Sequence, residues 1–375
     1  MIPTLRDRAL RQTENRRLLP ETVAEMNQAG FFRILQSKRY GGYEMDPTVF
    51  AEVQWALAEG DMSAAWVLGV VGVHAFQLAL FDDRAPRDVW RDDSSVLVAS
   101  TYMPTGKATP VEGGFRFSGK WKFSSGIEHC KWVLLGGLVN PGQTETPDYR
   151  TFLLPESDYK IVDTWKVLGL KATGSQDIVV DDVFVPDYRV HDLADAYRGT
   201  NPGYAVNKAP LYRMPFVQVF ARVVTNPCIG GLQALLDGFS DYMAKRITVT
   251  GGVAAQDPDA QLAVAEAMAG LYELKTVYYK NMEVLRGLAE SGKEVDVPTR
   301  LLFKYQSGEV AERCLRLAQN IFKTGGGHAV FDDSPWGRIL NDMMVARQHV
   351  QNQSPIYGRN LGKVLLGLPN QDVQI

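Results

Sequence analysis

Cysteine is scarce in this sequence. Three occur in 375 residues, Cys130, Cys228 and Cys314, far apart and with no CxxC pair. That spacing argues against a zinc site and suggests free thiols in a reduced compartment. Charge of one sign is lacking too: 40 Lys and Arg stand against 43 Asp and Glu, a formal net of -3. No strong field remains to gather nucleic acid or an anionic membrane. The opening MIPTLRDRALRQTENRR has no apolar core of signal-peptide type. The longest apolar run, AAWVLGVVGVHAFQLALF, is about as long as a membrane span. Asp61 closely precedes it, however, and Asp82, Asp83 and Arg84 follow. The expectation is therefore a buried core helix in a cytoplasmic protein. There is no GxGxxG after a strand, no P-loop and no GxSxG, so no nucleotide-binding βαβ unit is indicated. The five histidines show neither HxxxH nor HExxH spacing, and no metal is expected.

What is present falls into three stretches. Residues 1–93 read as helical: PETVAEMNQAGFFRIL has helical apolar spacing, and DPTVFAEVQWALAEGD opens with a capping Asp46 and a proline at the first helical position. Residues 94–205 change character, with short β-branched and aromatic segments such as SSVLVASTYMPTG, GGFRFSGKWKFSSG and SQDIVVDDVFVP separated by turn residues. Residues 206–375 return to long amphipathic helices, one of them opened by Asp257 or Asp259, whose short joins predict an antiparallel bundle. The fold class expected is α+β: an N-terminal helical domain, a middle β-sandwich or barrel domain and a C-terminal helix bundle.

The segment GKWKFSSGIEHCKW, residues 119–132, ends a strand by setting Ser124, Ser125 and Gly126 beside Phe123. An ordinary turn would explain it, and so would a flat ligand lying against the strand end. The run TGGGHA follows a helix, so Gly325 and Gly326 suit either a C-cap or backbone amides near a phosphate. Taken alone, His74 in its apolar helix reads as a core residue, and His349 beside Arg347 and Gln348 on the last long helix reads as a surface one. His129 reads as structural, and His191, in a polar loop, is assigned no role.

The α-β-α order, together with FSGKWKFSSGIEHCKWVLLGG, GLKATGSQDIVVDDVFVP and ILNDMMVARQHVQNQSPIYGRNLG, resembles the acyl-CoA dehydrogenase superfold. Within it the sequence is most similar to the two-component flavin-dependent monooxygenases, which include hydroxyphenylacetate and phenolic-steroid hydroxylases. The resemblance implies that Phe123 stacks near the flavin ring and that Ser125 bonds its N5 region, with Ser124 and Gly126 beside it. It implies that Thr101 approaches from the neighbouring strand, with Thr173 and Ser175 behind. It also brings His74 and His349 to one pocket as catalytic groups with Ser125. Arg246, Gly325 and Gly326 would meet the flavin phosphate side at a subunit boundary of a homotetramer.

The same superfold runs dehydrogenase chemistry, which usually draws a glutamate base from the last long helix, shortly after an Arg-Asp pair. Here Asp342 is retained, Asn341 replaces the arginine, and no glutamate follows Glu312. Asp241 on an earlier helix keeps that alternative open. The activity implied is hydroxylation of an aromatic substrate, phenolic, indolic or polyketide, through a flavin C4a-hydroperoxide. It would use O2 and reduced flavin, FMN or FAD, supplied by a separate NAD(P)H-dependent flavin reductase. A histidine of near-neutral pKa would serve the peroxide proton. N- or S-oxygenation and acyl-CoA dehydrogenation are the alternatives.

Overall fold

The computed structural model describes residues 1–142, 147–248, 251–372 and 375. Six α-helices come first: Ile2–Asn15, Pro20–Gln28, Pro47–Ala58, Met62–Gly72, His74–Leu78 and Arg84–Trp90. Two start where the sequence indicates. Asp46 accepts from the Thr48 amide at 2.8 Å ahead of Pro47, and Asp61 accepts from the Ser63 amide at 2.8 Å. The apolar run expected to be core is so: every residue of Met62–Gly72 except Val70 is buried. Trp66 and His74 lie eight residues apart, about two turns, and so share one face of this helical stretch.

Seven strands then form a single sheet. They are β1 (Val98–Val111), β2 (Gly114–Ser124), β3 (Trp132–Val139), β4 (Asp148–Pro155), β5 (Lys160–Val162), β6 (Gln176–Pro186) and β7 (Val190–Asp192). Their spatial order is β5-β6-β2-β1-β3-β4-β7, with β1 and β3 parallel and the other pairs antiparallel. The sandwich or barrel expected here takes the form of one sheet with β5 and β7 at its ends. Two irregularities matter below. Register slips in β1 between Thr101 and Gly106, and in β2 between Trp121 and Ser124.

The C-terminal part is a helix bundle: Phe216–Val223, Asn226–Lys245, Pro258–Glu290, Val297–Gly325, Pro335–Ala346 and Ser354–Leu365. Asp257, rather than Asp259, caps the 33-residue helix, accepting from the amides of Asp259 and Ala260. The long helix expected through His349 is broken. The chain leaves the helix after Ala346, makes a 3-10 turn at Val350–Asn352 and restarts at Ser354 with Pro355 in its first turn. Asn352 Nδ2 donates to the Ala346 carbonyl at 2.7 Å and the Val224 carbonyl at 3.2 Å, so the broken end is satisfied by a side chain. One continuous apolar core joins the N-terminal helices, the sheet and the bundle.

Candidate functional site

The slip in β2 is where the site begins. Phe123 adopts φ 69°, a left-handed conformation that is uncommon and costly for a non-glycine residue. Its ring is 59% exposed, and among the described residues its one ring contact is edge-on with Trp165, at 6.2 Å. A large apolar ring held in strain at the surface has no packing reason to be there. Directly after it, Ser124 is wholly buried and its hydroxyl has no partner among the described residues. Gly126 turns the chain at φ 71°, and a Cβ there would stand 2.9 Å from a methyl of Val67. Its amide donates to the Thr173 carbonyl at 2.8 Å, locking the turn to the neighbouring loop.

Ser125 joins a line of side chains running away from the strand end. The Trp66 indole N–H donates to Ser125 Oγ at 3.1 Å. Ser125 Oγ lies 2.6 Å from Ser175 Oγ, which lies 2.6 Å from Thr173 Oγ1. Thr173 donates to the Leu170 carbonyl at 2.8 Å, and the Trp165 indole donates to the same carbonyl at 3.0 Å. Leu170 is itself left-handed, at φ 49°. It is held there because its amide donates to Asp342 Oδ1 at 2.5 Å, while Gly169 passes so close to the Asn341 carbonyl that a Cβ would sit 2.1 Å from it. Burial raises the Asp342 carboxyl to about 7; the Leu170 amide opposes this, and nearby Asp61 adds to the rise. Asp342 therefore ties the bundle to the loop behind the strand end. Thr101 is buried on β1, and its hydroxyl donates to the Lys122 carbonyl at 2.9 Å, so it braces β2 just before the slip.

The two histidines come together through aromatic rings. His74 is fully buried, with Nδ1 3.0 Å from Tyr102 Oη. The Tyr102 hydroxyl donates its one proton to Gln77 Oε1. Tyr102 Oη must then accept from His74 Nδ1–H, which leaves Nε2 of the neutral ring as a bare acceptor. That atom is buried and has no partner among the described residues. Burial pushes the His74 pKa down to about 3. From Tyr102 the contacts run to Phe220, whose ring centroid is 5.2 Å away, and on to His349 at 6.4 Å. His349 also packs edge-on against Trp66 at 5.7 Å, closing the path back to Ser125.

His349 is not a free surface residue. It is half-buried and caps the 3-10 turn, Nδ1 accepting from the Gln351 amide at 3.2 Å. In the neutral ring the proton therefore sits on Nε2. Burial lowers its pKa to about 4, so the near-neutral value expected from the sequence is corrected downward.

Arg246, Gly325 and Gly326 also meet one another, at a different corner. Arg246 Nη1 donates to the Gly325 carbonyl at 3.3 Å, and at Gly326, φ 64°, a Cβ would stand 3.5 Å from the same guanidinium. Gly325 ends the helix Val297–Gly325, so the C-cap reading of this glycine run describes what is seen. Among the described residues no hydrogen bond or ring contact joins this corner to the strand end. Sequence reasoning missed Trp66, Gln77, Tyr102, Trp165 and Phe220. The one local signal available was the two-turn spacing of Trp66 and His74.

An exposed strained aromatic, an unpartnered serine hydroxyl, and two imidazoles offering one acceptor and one donor suit a flat polar-edged cofactor and a small hydroxylated substrate. The fold and this site define a flavoenzyme of the acyl-CoA dehydrogenase fold. Residues 223–354 match the family described as Acyl-CoA dehydrogenase, C-terminal domain. The chain is 32% identical to the flavin-dependent monooxygenase oxygenase subunit HsaA of Rhodococcus jostii (strain RHA1), over 100% of this chain and 98% of that protein. It is 31% identical to the FADH(2)-dependent resorcinol hydroxylase oxygenase component of Rhizobium sp. (strain MTP-10005), over 96% and 90% of the two chains. The crystal structure of 3-HSA hydroxylase from Rhodococcus sp. RHA1 superposes with a TM-score of 0.95 at 32% identity, covering 100% of this chain and 97% of that one. The chain belongs to the oxygenase components of the flavin-dependent monooxygenases, enzymes that use flavin and O2.

Proposed function

We propose that the chain hydroxylates a phenolic or comparably electron-rich aromatic substrate, indolic and polyketide rings included, with reduced flavin delivered by a separate NAD(P)H-dependent reductase. The observation that carries this reading is His74 Nε2, a lone pair buried without a partner among the described residues, on a ring that packs against Tyr102. A buried acceptor of this kind costs free energy unless something donates to it. A phenol O–H is the matching group, and an imidazole that accepts its hydrogen bond draws the proton toward itself and leaves the phenol ring more electron-rich. Bound reduced flavin supplies the electrons that activate O2. Phe123 would cover the flavin ring, Ser125 would meet its N5 edge, and Ser124, Gly126 and Thr101 would shape the strand end around it. His349 would direct its Nε2–H at the oxygen side.

Arg246, Gly325 and Gly326 would meet the flavin phosphates of a neighbouring subunit in a homotetramer. Two features favour this. Among the described residues no hydrogen bond or ring contact joins their corner to the strand end of the same chain, and the helix Pro258–Glu290 leaves Leu262, Met268 and Tyr272 more than half exposed. FAD is favoured over FMN only by analogy with the resorcinol hydroxylase's name. The test is anaerobic titration of the purified protein with reduced FMN and reduced FAD, followed by oxygen and a panel of phenols against their deoxy analogues. Stoichiometric hydroxylation confined to the phenols is expected. Bleaching of bound oxidised flavin by an acyl-CoA would overturn the proposal in favour of dehydrogenation.

A further inference from the structure

The line of hydroxyls behind the strand end has two chemically one-way termini. The Trp66 indole can only donate, and the Leu170 carbonyl can only accept. Thr173 spends its single proton on that carbonyl, so at its 2.6 Å contact with Ser175 it must accept. Ser175 then spends its own proton on Thr173 and must accept from Ser125 at 2.6 Å. Ser125 donates inward, takes the Trp66 N–H on one lone pair, and keeps its other lone pair for whatever lies in front of it. Trp66, Ser125, Thr173 and Ser175 are all buried, between 2% and 7% exposed, so no bulk water is at hand to reverse the sequence of donors.

We propose that Trp66, Ser175 and Thr173 are positioning residues that hold Ser125 as a hydrogen-bond acceptor, making the site prefer reduced over oxidised flavin. This rests on the proposed placement of the flavin's N5 edge at Ser125. Reduced flavin carries a hydrogen on N5 and so presents a donor. Oxidised flavin presents a lone pair there. A serine able to rotate freely would serve both forms, donating to one and accepting from the other. A serine whose proton is committed inward satisfies only the reduced ring, and faces the oxidised one lone pair to lone pair. A preference of about tenfold corresponds to one neutral hydrogen bond made in one redox state and lost in the other.

The test is anaerobic titration of the full-length protein, freed of flavin, with reduced and with oxidised flavin. Wild type is compared with Ser175→Ala, Ser175→Thr and Thr173→Val, and the midpoint potential of the bound flavin is measured alongside. Ser175→Ala frees the Ser125 proton to turn outward. The expected result is tighter binding of oxidised flavin, a reduced-to-oxidised affinity ratio about tenfold smaller, and a bound-flavin potential lower by about 30 mV, the two-electron equivalent of tenfold. Ser175→Thr restores the hydroxyl and should restore the ratio. Thr173→Val removes the last link, shifts the ratio in the same direction, and serves should Ser175→Ala fold poorly. An unchanged ratio in both Ser175→Ala and Thr173→Val overturns the proposal, and so does equal weakening of both redox forms, the mark of simple loosening. Wild type that prefers reduced flavin while these variants keep the preference overturns the relay alone. Wild type that binds neither form overturns the proposed function with it.

Discussion

His74 and His349 share a residue type and one chain of ring contacts, yet each offers the opposite half of a hydrogen bond. His74 gives its Nδ1 proton to Tyr102 and turns a bare Nε2 lone pair inward. His349 accepts the Gln351 amide on Nδ1 and so keeps its proton on Nε2. Burial depresses both pKa values, to about 3 and about 4, and both rings are neutral at pH 7. Neutral imidazoles cannot differ in charge, so the contrast lies in their tautomers, and each tautomer is set by the neighbour at Nδ1, Tyr102 for His74 and the Gln351 amide for His349. The donor-acceptor pattern around the site is thus fixed by the fold before any ligand binds, as the hydroxyl chain behind Ser125 is.

The largest expected effect comes from removing the acceptor while keeping its support. His74→Asn retains a group near the Nδ1 position that can still reach Tyr102, but has nothing at Nε2. Flavin binding should persist while hydroxylation falls by about 10²–10⁴-fold, the usual range for a lost general base. Product analysis beside a flavin titration checks this. Normal turnover with a lowered melting temperature would make His74 a core residue after all. Next in size is His349. His349→Gln can keep an N–H near the Nε2 position and His349→Ala cannot. The alanine variant should release most of its reducing equivalents as peroxide, and the glutamine variant several-fold less. Equal peroxide yields from the two would remove the donor half of the comparison.

The pH dependence sharpens the comparison without mutating the pocket's shape. A base whose folded pKa lies below its unfolded value of 6.5 stabilises the fold fully above pH 6.5, and that stability is lost as pH falls toward the folded value. The window for His74 is therefore pH 6.5 to about 3, and for His349 6.5 to about 4. Each titrating histidine contributes a slope of about 1.4 kcal/mol per pH unit, and His349, being half-buried, contributes the smaller share. Urea unfolding of wild type and His74→Asn between pH 7 and 4.5 should show a shallower slope for the variant. Parallel slopes would mean that His74 titrates in the fold as it does in the unfolded chain.

Much of the strand end was legible in the sequence, because β2 ends in one local stretch where alternation, small hydroxyls and a glycine fall side by side. The loop carrying Thr173 and Ser175 was legible for the same reason, though only as support. Trp66 was hidden inside an apolar run in which a tryptophan looks like any core residue. Tyr102 and Gln77 were illegible, since a hydrogen bond between residues 25 apart on a strand and a helix leaves no periodic trace. His349 was misread as lying within a helix. Arg347 and Gln348 continue the helical composition, and only the later Asn352 and Pro355 mark the break. Its expected near-neutral pKa failed because local composition says nothing of the aromatic rings that surround it.

The smallest effect tests the tautomer argument itself. Tyr102→Phe leaves the His74 ring in place but removes the oxygen that accepts its Nδ1 proton, and it also removes the donor to Gln77 Oε1. Two buried polar atoms lose their partner, so stability should drop by about 1–3 kcal/mol for each that finds no substitute. The effect on chemistry should be milder than that of His74→Asn. With Nδ1–H no longer committed, the proton can move to Nε2, and a fraction of molecules then presents a donor where the substrate needs an acceptor. Hydroxylation should fall by about tenfold or less, while affinity for a deoxy analogue, which has no proton to give, stays unchanged. Nitrogen chemical shifts of the two imidazoles read the tautomers directly: the Nδ1–H form for His74 in wild type, a mixture in Tyr102→Phe, and the Nε2–H form for His349 in both. A wild-type His74 found with its proton on Nε2 would erase the difference between the two histidines and leave the buried nitrogen a donor.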